Sequence, residues 1–181
     1  MNDYVKSISK KNEGGDKEKQ LPIGALGATM TAHGEDFEVD SEYGQCLTVM
    51  GRTNERLSRI QETYVQKASS TWLDSLERSN TQMKEFQKSR KKLDDRRLAF
   101  DTAAAKMEKI KKEDFRTEEE LRSQRAKYDE ASEDVYRRMM DIKEGEADSI
   151  LDLSEFLDAQ LAYFEKCRDI LIQAKREWPA S

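Results

Sequence analysis

Proline occurs only twice in 181 residues, at Pro22 and Pro179, and glycine only eight times. A sheet protein built from many short strands needs far more turn residues than this, so an all-α fold is expected. His33 stands alone and can build neither a metal cluster nor a catalytic triad by itself. Cys46 and Cys167 lie far apart, with no C-x-x-C pair and no histidine at companion spacing. They read as reduced, partly buried packing residues. No apolar run approaches twenty residues and no basic-then-apolar leader opens the chain, so neither a transmembrane helix nor a secretory signal is supported. The cytosol is the expected compartment. A Gly-rich phosphate loop, a nucleophile elbow and metal-ligand spacing are also missing, and carboxylates scattered along exposed helices have no pocket to shift their pKa. The expectation is a protein without enzymatic activity or cofactor.

Charged side chains are abundant, at 38%, whereas hydrophobic residues make up only 36%. One chain with so little apolar content cannot wrap a thick core around itself. The arrangement that asks least of it is a narrow helix bundle completed by a second copy.

The periodicity defines the helices. From Glu42 to Lys112 there is no proline, and the only glycines are Gly44 and Gly51 near the start. A helix of that extent is roughly 100 Å long. Its apolar residues keep a seven-residue beat, Tyr43, Met50, Leu57, Tyr64 and then Phe86, Leu93, Phe100, Met107, bridged by Leu73, Leu76 and Met83. The two tracks are out of register, so a bend or a change of packing neighbour is expected near residues 68–80. A turn is expected at 113–116. The next helix then opens on Thr117-Glu-Glu-Glu120, which fits a capping box, and runs to about Trp178, where Pro179 stops it. Its tracks are Leu121, Tyr128, Val135, Ile142 and Ile150, Leu157, Phe164, Leu171, with Met139, Leu153, Leu161 and Cys167 alongside. A short connection forces the two helices antiparallel, into a long hairpin. Residues 1–40 are less regular: a short helical piece around Tyr4, Val5 and Ile8, a loop at about 11–21, and helical spacing at Leu26, Met30, His33 and Phe37. Gly24, Gly27 and Gly34 weaken that helix by about 1 kcal/mol each but allow a neighbouring helix close.

The formal charge of −5 argues against nucleic acid and against an anionic surface, yet its distribution reverses the second inference locally. Lys84 to Arg116 holds twelve Lys and Arg against seven Asp and Glu, a net of +5, which leaves −10 for the rest. Several cations near an anionic bilayer gain on the order of 1 kcal/mol each. Nucleic acid stays disfavoured, because the basic region lacks a groove-reading motif and interleaved stacking aromatics. Charge runs on long helices also serve simply as solvated faces, balanced by neighbouring opposite charges.

Four blocks carry a resemblance: Lys91-Lys-Leu-Asp-Asp-Arg-Arg-Leu-Ala-Phe-Asp101, Glu119-Glu-Leu-Arg122, Lys127-Tyr-Asp-Glu-Ala-Ser132 and Phe156-Leu-Asp-Ala-Gln-Leu-Ala-Tyr163. In order and spacing they resemble the endophilin-like (N-BAR) branch of BAR domains, most closely its fungal members, over roughly residues 20–178. The resemblance implies a crescent-shaped antiparallel homodimer that senses or shapes curved anionic membrane, attached peripherally, in endocytosis or vesicle trafficking. By position it assigns Met50, Leu57, Ile60, Tyr64, Leu153, Leu157, Leu161, Phe164 and Leu171 to the dimer interface. It assigns membrane contact to Lys91, Lys92, Arg96, Arg97, Lys106 and Lys109, with Lys111 and Lys112 added by their place in the loop. Two departures stand out. Ala103-Ala-Ala105 replaces a lysine run of animal endophilins, and the N-terminal amphipathic helix and part of the first long helix are expected to be absent. The expected organisation is a shortened BAR domain over 1–178: 1–40 a remnant of the first helix, 41–112 a long helix, 113–116 the tip, 117–178 the return helix, and 179–181 the start of a linker, followed in a full relative by a Src-homology 3 domain. Other endocytic proteins are further partners to expect. The alternative is a BAR-like dimer that serves as a scaffold for proteins or small GTPases without dependence on lipid.

Overall fold

A computed structural model describes residues 1–10, 20–110 and 114–179. The described residues are helical almost throughout, with short turns and no strand among them. In chain order the elements are α1 (Asn2–Ser9), α2 (Pro22–Glu35), α3 (Glu42–Ala68), a π-helical turn (Ser69–Leu73), α4 (Asp74–Lys109) and α5 (Phe115–Arg176). They divide into two compact units, Met1–Asp74 with Leu151–Ser181, and Ser75–Ile150.

Local chemistry sets the helix ends. Pro22 occupies the first turn of α2, where its missing N–H costs nothing. Ser41 caps α3, its hydroxyl accepting from the Gly44 amide at 3.2 Å. At α5 the cap is Asp114 rather than Thr117: its carboxylate accepts from the Arg116 amide at 3.1 Å and from the Thr117 hydroxyl at 2.8 Å. The first helical bond runs from the Glu118 amide to the Asp114 carbonyl, so the helix starts two residues before the expected capping box. Aspartate accepts from the free amides at least as well as threonine, and it adds a negative charge at the positive helix end.

The long first helix is continuous from Glu42 to Lys109 except at Ser69–Leu73, where it widens into a π turn. One extra residue in a turn shifts every following side chain around the axis. This is the physical source of the change of register between the Tyr64 track and the Phe86 track.

In the first unit α2 lies antiparallel against α3 through glycine. α2 meets α3 through Gly24, Gly27 and Gly34, with Met30 alongside, its sulfur accepting from the Asn54 amide at 3.6 Å, whereas Leu26 is 53% exposed. A Cβ on Gly27 would stand 2.6 Å from the Gly51 carbonyl oxygen, and one on Gly24 would stand 2.6 Å from the Ser58 hydroxyl. Both helices therefore meet at backbone distance, which no larger residue permits. Against the other side of α3 sits the terminal stretch of α5. Tyr64 stacks on Tyr163 with ring centroids 4.7 Å apart and on Phe156 at 6.3 Å. α1 covers this cluster: Val5 is buried, the Tyr4 and Tyr64 hydroxyls share a hydrogen bond of 3.0 Å, and the Gln61 amide donates to the Ile8 carbonyl at 2.7 Å.

In the second unit α4 packs on α5 through Ser89, Leu93, Phe100, Ala103 and Met107, spaced as one helical stripe. Phe100 stacks on Tyr128 at 5.8 Å. Ser89, almost fully buried, donates to Asp134 at 2.7 Å, and Arg138 reaches the same carboxylate at 3.1 Å. These bonds hold the Asp134 carboxyl down at about 2, the Ser89 hydroxyl contributing most. Cys46 and Cys167 are free thiols, each half-buried.

Candidate functional site

The two heptad tracks of α5 have different fates. Leu121, Tyr128, Val135 and Ile142 are half-buried. Ile150, Leu157, Phe164 and Leu171 are exposed, as are Leu153 and Leu161, at 45–63% of their surface. Residues 150, 153, 157, 161 and 164 recur at three- and four-residue intervals, so they form one apolar line on a single flank of α5. Leaving such a line in water costs on the order of 1.5–3 kcal/mol for each Leu or Phe that could otherwise be buried. Of the remaining residues expected at an interface, Met50, Leu57 and Ile60 are half-buried within the chain, and Tyr64 is only 4% exposed. Tyr64 therefore lies beneath the α3–α5 seam rather than on open surface. Its burial, reinforced by the Tyr4 hydroxyl, pushes its own hydroxyl well above the usual tyrosine range, and burial raises Tyr163 as well.

The expected membrane cations are spread unevenly around α4. Lys91, Lys92, Lys106 and Lys109 are exposed and fall within about 100° of one another around the helix axis, a single flank. Lys91, Lys92 and Lys109 form no ion pair among the described residues. Lys106 reaches Glu120 of α5 at 3.6 Å. Arg96 is half-buried and sits within the packed stripe between Leu93 and Phe100. Arg97 occupies the opposite flank and pairs with Asp101 at 3.9 Å. Lys111 and Lys112 lie outside the described residues. Helical spacing about the Leu93–Phe100–Met107 track sets Arg96 and Arg97 apart from the other four, and the burial along α4 agrees.

Among the described residues no group of histidine, cysteine or carboxylate side chains is placed to hold a metal ion, and no helix is long and apolar enough to cross a membrane. What remains among the described residues is an exposed apolar line on α5 and, in the other unit, a cationic flank on α4. The BAR domain family matches residues 2–180. The chain is a BAR domain. BAR domains as a family are helical scaffolds of curved membrane, and this one resembles endophilin-type and fungal members. It is 38% identical over 168 residues to the meiotically up-regulated gene 137 protein of Schizosaccharomyces pombe, a match covering 93% of this chain and 40% of that protein. It is 30% identical over 149 residues to endophilin-A2 of Gallus gallus, covering 82% of this chain and 39% of the relative. Endophilin-A3 of Mus musculus is 27% identical over 157 residues, 85% of this chain and 44% of the relative. This BAR domain thus spans less than half the length of these relatives.

Proposed function

We propose that this BAR domain acts as a non-catalytic scaffold that binds anionic membrane as a homodimer and senses or shapes its curvature, in endocytosis or vesicle trafficking. The observation that carries the reading is the flank of α4 on which Lys91, Lys92 and Lys109 stand exposed without an ion pair among the described residues. Cations already paired within the protein gain little from a lipid head group, because they exchange one anion for another. Unpaired ones keep the full gain of about 1 kcal/mol each. Lys106 supports the same flank, and Lys111 and Lys112 follow it in the sequence. Arg97, facing the other way and paired, contributes least. The exposed apolar line of α5 supports the second element of the reading, since a second copy offers the matching surface that one chain lacks.

Sedimentation with vesicles containing phosphatidylserine tests this. Lys91→Glu, Lys92→Glu and Lys109→Glu together are expected to weaken partitioning by roughly a hundredfold, and raised salt is expected to act in the same direction. Arg97→Glu alone is expected to change it little. Binding that ignores both salt and the triple reversal sinks the assignment. Loss of all vesicle binding in the unaltered protein, with dimerisation retained, would instead favour a scaffold for other proteins or small GTPases.

A further inference from the structure

We propose a second anion site, for a phosphate-bearing ligand, in the groove of the first unit where Arg56 and Arg59 of α3 meet Lys166 of α5. The groove is open, holds about 400 Å³, and has Ile60 and Ile170 as its apolar floor. That volume falls within the range of clefts that take small ligands, about 300–1,000 Å³. Three cations line it, and their countercharges are missing or spent. Arg56 donates only to a neutral partner, the Gln173 side-chain oxygen at 2.9 Å, and the Gln173 amide is itself fixed on Glu177 at 2.7 Å. The one carboxylate in the lining, Asp169, is taken by Arg168 at 3.0 Å. Arg59 and Lys166 form no ion pair among the described residues.

The contrast with the adjoining cavity decides the location. There Lys67, with Lys166 shared between the two cavities, is matched by Glu155 and Asp158, so the surplus of the groove rests on Arg56 and Arg59. Arg52, Arg56 and Arg59 also recur at three- and four-residue intervals, so the guanidinium groups follow one line of α3. Two guanidinium forks and an ammonium at the mouth of a groove suit a doubly charged oxyanion, which takes two parallel N–H bonds from each fork. A singly charged carboxylate would use only part of the set.

The site stays open in a dimer. On α5, Lys166, Asp169 and Gln173 occupy the flank opposite to Leu153, Leu157, Leu161 and Phe164. A second copy seated on the leucine line therefore leaves the α5 wall of the groove accessible, and of the residues expected at an interface only Ile60 lines it. The site also belongs to a different unit from Lys91, Lys92 and Lys109. It needs neither a membrane nor a partner, so it stands whether or not the membrane reading does.

The test is calorimetric titration of the full chain with inositol 1,4,5-trisphosphate at low salt. Saturable binding is expected, weakened about tenfold or more by Arg56→Gln with Arg59→Gln and Lys166→Gln, and within about twofold of the unaltered protein for Lys91→Gln with Lys92→Gln and Lys109→Gln. Lys166→Glu alone is a milder variant on an exposed residue, with the same direction of effect, should the triple variant lose helicity by circular dichroism. Vesicles of phosphatidylserine compared with vesicles in which phosphatidylinositol bisphosphate replaces part of the same charge identify the source of the phosphate. Extra binding to the second, lost in the groove variant, assigns a lipid head group. Trisphosphate binding without that extra assigns a free phosphate, and both support the site. Absence of saturable binding, or equal weakening by the groove and α4 variants, overturns it.

Discussion

At Asp134 a single carboxylate ties α5 to α4, accepting from the buried Ser89 of the packed stripe. Its partners all stabilise the charged form, so its folded pKa sits near 2 against an ordinary 3.8. A carboxyl whose folded pKa is depressed adds stability that is fully present above the unfolded value and is lost as pH falls through the folded one. The melting temperature of the protein should therefore exceed that of Asp134→Asn above about pH 4, and the two should converge as pH falls toward 2. Ser89→Ala removes the largest contributor and should cost about 1–2 kcal/mol, read from denaturant unfolding at neutral pH. None of this could be read from the sequence. Ser89 and Asp134 are 45 positions apart, and nothing in the pattern around Lys88-Ser-Arg90 marks the serine as buried. Arg96, by contrast, stands at i+3 from Leu93 on the heptad track, so its place in the packed stripe follows from spacing once that track is known.

Among the elements, α2 and α3 show how far a local rule reaches. Glycine inside a helix normally costs about 1 kcal/mol relative to alanine, so alanine should stabilise wherever there is room. At Gly145 the nearest atom to an added Cβ is 3.9 Å away, and Gly145→Ala is expected to raise stability by about 0.5–1 kcal/mol. At Gly27 the same methyl would press on two backbone atoms, at 2.6 and 2.8 Å, which cannot swing aside as a side chain does. Gly27→Ala should lower stability by about 1–2 kcal/mol net, overpacking outweighing propensity. Thermal melts of the two variants, made side by side, check the opposite signs. The close approach of two helices was legible in the sequence from the small residues. Which apolar residues join that contact was not, because Leu26 and Met30 share one helical spacing, yet Met30 reaches Asn54 of α3 and Leu26 is left exposed. In α5 the reverse occurred: the capping box at Thr117 was a sound pattern, but Asp114 three residues earlier caps the helix first, taking the Arg116 amide and the Thr117 hydroxyl itself.

For the whole molecule, the all-helical architecture, the change of phase in the long helix and the family were all legible, since heptad beats and block spacing depend only on the order of residues. Periodicity alone does not tell which apolar track faces water, because Leu121, Tyr128, Val135 and Ile142 read the same as Ile150, Leu157, Phe164 and Leu171; the resemblance singled out residues of the second track. The proposed pairing of two chains places its energy on the exposed track. Leu157→Asp combined with Phe164→Asp should shift the protein from dimer to monomer in light scattering at micromolar concentration, with the helical circular dichroism of each chain retained. A dimer that survives both substitutions would move the interface elsewhere.

The stacked rings of Tyr64 and Tyr163 also equip the protein with an optical gauge of its own. Two aromatic chromophores held face to face couple in the near ultraviolet, so the seam between α3 and α5 should announce its opening without any attached dye. An alkaline absorbance titration would report on the same seam, since burial raises both Tyr64 and Tyr163 above the usual tyrosine range.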